Sequence, residues 1–166
     1  MLAEKYRSEI DDILDKYPIG QKRSAVMPLL YLAQREYGSI TRAAIDEIAE
    51  LLSLDATEVA SLVGFYTLFH EEPGGRYRVQ VCTDLPCALR GADAFVEELC
   101  ERLGIQSGET TPDGLITVEE VKCLAACDRA PMFQLQDREG IHYHEHQTVD
   151  LAMALIEELR KRESDA

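Results

Sequence analysis

Apolar positions recur at helical spacing from residue 1 to about residue 70, then change to alternation beyond residue 75. Ile10, Ile13, Leu14 and Tyr17 form the first stripe, and "YPIG" stops it. A second helix is predicted to begin between Gln21 and Pro28, to run through Leu29, Leu30, Leu32 and Ala33, and to end at Gly38, where glycine takes the left-handed cap. Thr41 caps a third helix with Ala44, Ile45, Ile48, Leu51 and Leu52 on its apolar side. "DATE" at 55–58 opens a fourth like a capping box, with Val59, Leu62, Val63 and Tyr66 as its buried stripe. The spacing of Leu62, Tyr66 and Phe69 favours core over a partner-facing aromatic patch for "GFYTLF".

The period changes at "EEPGG", residues 71–75, which sets a boundary between a helical domain, 1–72, and a second domain, 73–166. Tyr77, Val79 and Val81 alternate with Arg78 and Gln80 in a half-buried strand that ends at Cys82. Ala92 to Leu103 is helical and stops at Gly104, and "SGETTPDG" is a loop turning at Pro112-Asp113-Gly114. Strands follow at Leu115–Lys122, Met132–Gln136 and Ile141–Glu145, the last two joined by "DREG". Thr148 caps a final helix through Leu159, with "RKRESDA" as a solvated tail. The order β, α, β, β, β, α describes a small α/β domain compatible with the thioredoxin-like arrangement.

Composition narrows the function classes. A chain of 166 residues with 46% hydrophobic and 29% charged residues has the balance of a folded soluble protein. No apolar run approaches the roughly 18 residues of a membrane span, and "MLAEKYRSEI" lacks the regions of a signal peptide, which points to the cytosol. Acids outnumber bases 31 to 17, for a net charge of −14, which disfavours nucleic acid as a partner.

Five cysteines in a reducing compartment suggest a metal before a disulfide framework. Four of them form two local pairs, Cys82 with Cys87 and Cys123 with Cys127, and Cys100 stands alone. The spacing is C-x₄-C, 35 residues, then C-x₃-C. If the strands ending at Cys82 and before Cys123 are parallel neighbours, all four thiols meet at the C-terminal edge of the sheet. Structural zinc more typically uses C-x₂-C knuckles, whereas a [2Fe–2S] rhomb needs two cysteine thiolates at each of its two irons. Cys100 reads as a small hydrophobe at the flank of its helix.

The motifs "MPLLYLAQREYG", "GFYTLF", "VQVCTDLPC" and "TTPDGLITVEEVKCLAACDRAPM" resemble, over nearly the whole chain, the small [2Fe–2S] subunit of NADH-quinone oxidoreductase (respiratory complex I), the NuoE family. That resemblance implies an N-terminal helical bundle followed by a thioredoxin-like [2Fe–2S] ferredoxin domain. It also implies one cluster per chain, bound by Cys82, Cys87, Cys123 and Cys127, exchanging single electrons with FMN held by a partner subunit that also binds NADH. The expected partners are that flavin subunit and other peripheral-arm subunits, with no nucleic acid and no direct membrane insertion. The expected location is the cytoplasm, or the cytoplasmic face of the inner membrane through the complex. The chain alone has no G-x-G-x-x-G and no Walker loop, so it is expected neither to bind NADH nor to be catalytic by itself. Many relatives carry glycine where Ala125 stands, so the loop is expected not to need a left-handed residue there.

Other readings remain open beside this one. Homologous subunits serve NAD-linked hydrogenases and formate dehydrogenases. A structural zinc module would use the same four thiols. A thiol redox enzyme would want C-x-x-C at a helix N-terminus, which Cys82 and Cys87 lack. "TRAAIDEIAELLSLDATEVASLVGFY" reads like helix-turn-helix, but its second helix has no Lys or Arg to meet phosphate. His142, His144 and His146 would share one face of a strand, either as metal ligands or as an exposed face. Asp84 and Asp128, near the ligands, would lower a cluster's potential. Ala130-Pro131 stands where thioredoxin-like domains carry a cis-proline.

Overall fold

A computed structural model describes residues 1–164. The chain divides into two compact units, Met1–Pro73 and Gly74–Ala166.

The first unit is helical: α1 Leu2–Lys5, α2 Arg7–Leu14, a 3₁₀ turn Lys22–Ala25, α3 Val26–Tyr37, α4 Arg42–Leu52 and α5 Ala56–Phe65. Its core unites Ile10, Leu29, Leu30, Ile45, Ile48 and Val59, the positions given by the helical period. Gly38 ends α3 in the left-handed conformation with φ 77°, Thr41 accepts the Ala44 N–H, and Asp55 and Glu58 form a capping box. Two expectations fail here. The first helix does not continue to Tyr17, because α2 ends at Leu14 and a short α1 precedes it. The fourth ends at Phe65, so Tyr66 turns extended and lies outside its stripe. Phe65 is 75% exposed and Tyr66 42%, leaving Phe69 as the buried ring of "GFYTLF".

In the second unit the order is β1 Tyr77–Cys82, α6 Leu85–Ala88, α7 Ala92–Leu103, β2 Ile116–Val121, a 3₁₀ turn Cys127–Arg129, β3 Phe133–Gln136, β4 Ile141–His144 and α8 Val149–Ser164. The strands among the described residues form one sheet in the order β2-β1-β3-β4. β1 and β2 run parallel, with Cys82 opposite Val121, whereas β3 and β4 add antiparallel. Alternation sends Val79, Val81, Ile116, Val118, Phe133 and Leu135 to one face, where Phe95 and Leu99 of α7 and Ala152 and Ile156 of α8 cover them. On the opposite face Gln80, fully buried, donates to Glu119 at 3.1 Å and accepts from Gln134 at 2.6 Å, so the central strand's polar side chain is satisfied.

Helix α8 continues through Ser164, so Arg160 to Ser164 are helical where a tail was expected; Asp165 and Ala166 lie outside the described residues. The extension has an anchor, since Arg160 Nε donates to Asp113 Oδ2 at 3.0 Å. Asp113 closes the "TPDG" turn through the Leu115 N–H at 3.0 Å and the Thr111 hydroxyl.

Candidate metal centre

The parallel pairing of β1 and β2 brings both cysteine segments to one edge of the sheet. Cys82 is the last residue of β1, and Cys87 lies on α6, a single turn whose start Asp84 sets by accepting the Cys87 N–H at 2.8 Å through its carbonyl oxygen. Sequence reasoning missed α6, because four residues containing Pro86 carry no periodic signal. Cys123 follows the end of β2, and Cys127 opens the 3₁₀ turn.

The four thiols converge in two pairs. Cys82 stands beside Cys87 and Cys123 beside Cys127, and Cys87 and Cys127 each also lie near a cysteine of the other pair. Burial, and then Cys82 beside it, pushes the Cys87 thiol up to about 12. Burial followed by the Cys123 contact also raises Cys127. A thiol-exchange catalyst needs the opposite shift, toward thiolate at neutral pH. Among the described residues no three His, Cys, Asp or Glu are placed to hold a single metal ion.

The site has a dry side and a wet side. Cys82 and Cys87 are each 1% exposed and pack with Ala92, Ala126, Ala130 and Met132, whereas Cys127 is half-buried and Cys123 exposed. The loop carrying the outer pair is fastened from several sides. Arg90 Nε donates to the Ala130 carbonyl at 3.2 Å and the Tyr143 hydroxyl to the Leu124 carbonyl at 3.0 Å. The backbone N–H groups of His146 and Gln147 reach the carbonyls of Arg129 and Pro131, each at 2.8 Å. The Ala130–Pro131 peptide is cis, as its position in the sequence suggests.

Ala125 departs from expectation. Its φ of 59° is left-handed, so the loop does require that conformation even though alanine occupies it. It lies midway between Cys123 and Cys127, and nothing in the residue type announces it.

Two buried side-chain atoms among the described residues have no partner, Thr83 Oγ1 and His144 Nε2. Thr83, directly after Cys82, is 9% exposed and its Oγ1 makes no hydrogen bond. Such a group costs about 1–3 kcal/mol unless something fills the place of a partner. The donor chemistry, the pairing and this orphaned hydroxyl together fit a [2Fe–2S] cluster.

The remaining candidates fall away from the site. Cys100 is buried among Phe95, Val96 and Leu99 in the main core and lines a depression of about 500 Å³ with Asp93, Glu97 and Glu120, to which none of the paired cysteines contributes. The three histidines do not share a strand face as expected. β4 ends at His144, whose ring stacks on Phe133 with centroids 4.9 Å apart, and His146 lies beyond it with φ 52°. Asp128 is 80% exposed at its side chain and paired with Arg129 at 3.6 Å.

A sheet that delivers four thiols in two pairs to the ends of parallel strands defines an iron–sulfur carrier on a thioredoxin-like scaffold. Residues 10–160 match the family model described as thioredoxin-like [2Fe-2S] ferredoxin, and the chain belongs to that family. It is 41% identical over 157 residues to one of the NADH-quinone oxidoreductase subunits of Rhizobium meliloti (strain 1021), covering 95% of this chain and 90% of that one. It is 43% identical over 128 residues to NADH-quinone oxidoreductase subunit 2 of Thermus thermophilus, covering 77% of this chain and 71% of the relative. The fold is also found in the crystal structure of an NAD+-reducing [NiFe]-hydrogenase in the air-oxidized state. There the TM-score is 0.68 and the identity 24%, over 82% of this chain and 23% of the hydrogenase chain. No helix among the described residues is long and apolar enough to cross a membrane.

Proposed function

We propose that this chain is the electron-transfer subunit of an NADH:quinone oxidoreductase, holding one [2Fe–2S] cluster on Cys82, Cys87, Cys123 and Cys127. The observation that carries this reading is the convergence of two thiol pairs at the end of the β1–β2 parallel pair. The cluster, when bound, supplies a one-electron acceptor and donor. Cys82 and Cys87 hold it on the inner side, where Ala92, Ala126, Ala130 and Met132 exclude water. Cys123 and Cys127 hold the outer side, and the exposure of Cys123 makes this the edge open to a redox partner. The partner is the subunit that carries FMN and binds NADH, and other peripheral-arm subunits complete the assembly. Attachment to the cytoplasmic face of the membrane comes through that assembly and not through this chain.

Anaerobic purification with iron and sulfide analysis tests the reading, followed by electron paramagnetic resonance after dithionite reduction. About two irons, two sulfides and an S = 1/2 signal are expected, with both iron and signal lost in Cys87→Ala. Zinc without sulfide would instead make the module structural. A second reading, the corresponding subunit of an NAD-linked hydrogenase or formate dehydrogenase, draws support from the fold likeness to the hydrogenase. Identification of the proteins that co-purify from the native source separates the two.

A further inference from the structure

Thr83 stands where the two cysteine-bearing strands end. Its N–H donates to the Val121 carbonyl at 3.0 Å, joining the residue after Cys82 to the strand that leads into Cys123. The backbone is thereby fixed and the side chain buried, yet Oγ1 has no partner. The buried side chains clustered at this end of the unit are Cys82, Cys87, Ala92, Ala126, Ala130 and Met132. Thr83 directly follows Cys82 in the chain, so its buried hydroxyl sits at the edge where the cysteines gather. Cysteine sulfurs gather at this edge, and a sulfur bearing negative charge accepts far better than a neutral thiol.

We infer that the Thr83 hydroxyl donates a hydrogen bond to a sulfur of the bound cluster and thereby raises its reduction potential. The inference rests on the proposed cluster reading. Reduction adds one electron and no proton, so the reduced state carries one more negative charge, part of it on the sulfurs. A fixed O–H donor favours that state over the oxidised one, and removing the donor lowers the potential.

The test uses the full chain, purified anaerobically, as the wild type, Thr83→Val and Thr83→Ser. Iron and sulfide are measured first, and then the midpoint by a redox titration followed through the reduced-state resonance. Valine keeps the shape without the hydroxyl, and serine keeps the hydroxyl. The expected result is undiminished iron in all three, with a lower midpoint in Thr83→Val alone. The expected shift is roughly tenfold in the reduction equilibrium, about 59 mV for a one-electron couple. If valine costs the cluster altogether while serine keeps both cluster and midpoint, the hydroxyl requirement stands. A fully loaded Thr83→Val with an unchanged midpoint overturns the inference and leaves the cluster reading intact, as does a serine variant that behaves like valine. A wild-type chain without iron and sulfide overturns the cluster reading itself.

Discussion

Replacing Ala125 by glycine should stabilise the cysteine-bearing unit. At φ 59° the alanine Cβ crowds the following carbonyl, a penalty of about 1–2 kcal/mol for an L-residue. Glycine has no Cβ and escapes it, but its unfolded chain has more freedom to lose, roughly 0.5–1 kcal/mol. At the midpoints of the two ranges the difference is a net gain of about 0.75 kcal/mol, which for a chain of this size raises the melting temperature by about 1.5–3 °C. The assay is guanidinium unfolding of the iron-loaded chain under anaerobic conditions. Following the visible absorbance of the cluster makes the signal report the unit that carries the cysteines. The midpoint should rise with the slope unchanged, and iron content should match the wild type. Ala125→Val, adding a β-branched side chain at the same φ, should fall below wild type by more than glycine rises above it. A glycine variant equal to or less stable than wild type would refute the reasoning, since the loop would then not be strained at this residue.

Asp113→Asn should destabilise the chain at neutral pH. The Thr111 hydroxyl, with the Leu115 N–H and Arg160, holds the Asp113 carboxyl below its ordinary range against a smaller opposing effect of burial. A depressed folded-state pKa contributes stability that is present above the unfolded value, near 4, and is lost as pH falls through the folded value. The gap between wild type and Asn should therefore be open at pH 7 and close below about pH 4 in denaturant titrations. It should not exceed about 1 kcal/mol, because the carboxylate is 42% exposed. Cys100→Ala should leave iron and sulfide unchanged and cost about 1 kcal/mol in the same unfolding assay, because Cys100 packs in the core away from the paired thiols; loss of iron would return it to the site. Asp84→Asn should raise the cluster midpoint, and Asp128→Asn should move it less, because Asp128 is exposed and neutralised by Arg129; the reverse order would sink the electrostatic account.

What was legible in the sequence followed period and residue type. The alternation of Tyr77, Val79 and Val81 gave β1, and its end at Cys82 placed a thiol at the strand's C-terminal edge. Thr41, Asp55 and Gly38 mark helix ends because their side chains, or the lack of one, act on the nearest backbone. The four cysteines are chemically distinctive wherever they fall. What failed lay where tertiary context overrides local signal. Tyr66 keeps the helical spacing of a core residue, but α5 ends one residue earlier and the ring faces outward. His146 keeps the alternation of a strand that has already stopped at His144.

The same division explains why the proposed ligands could be named from the sequence and the groups proposed to tune them could not. A thiolate is selected by what it is, so spacing alone can nominate Cys82, Cys87, Cys123 and Cys127. A threonine is selected by what surrounds it. Thr83 would be ordinary on an exposed loop, satisfied by water, and acquires the role proposed for it only because the Val121 carbonyl fixes its backbone where the hydroxyl is buried without a partner. Ala125 and Arg90 share that dependence, one through a backbone angle and the other through a single carbonyl reached across the site. A metal-site residue that bonds to the group directly leaves a mark in the sequence. The residues that set its potential and hold its loop leave theirs only in the packing.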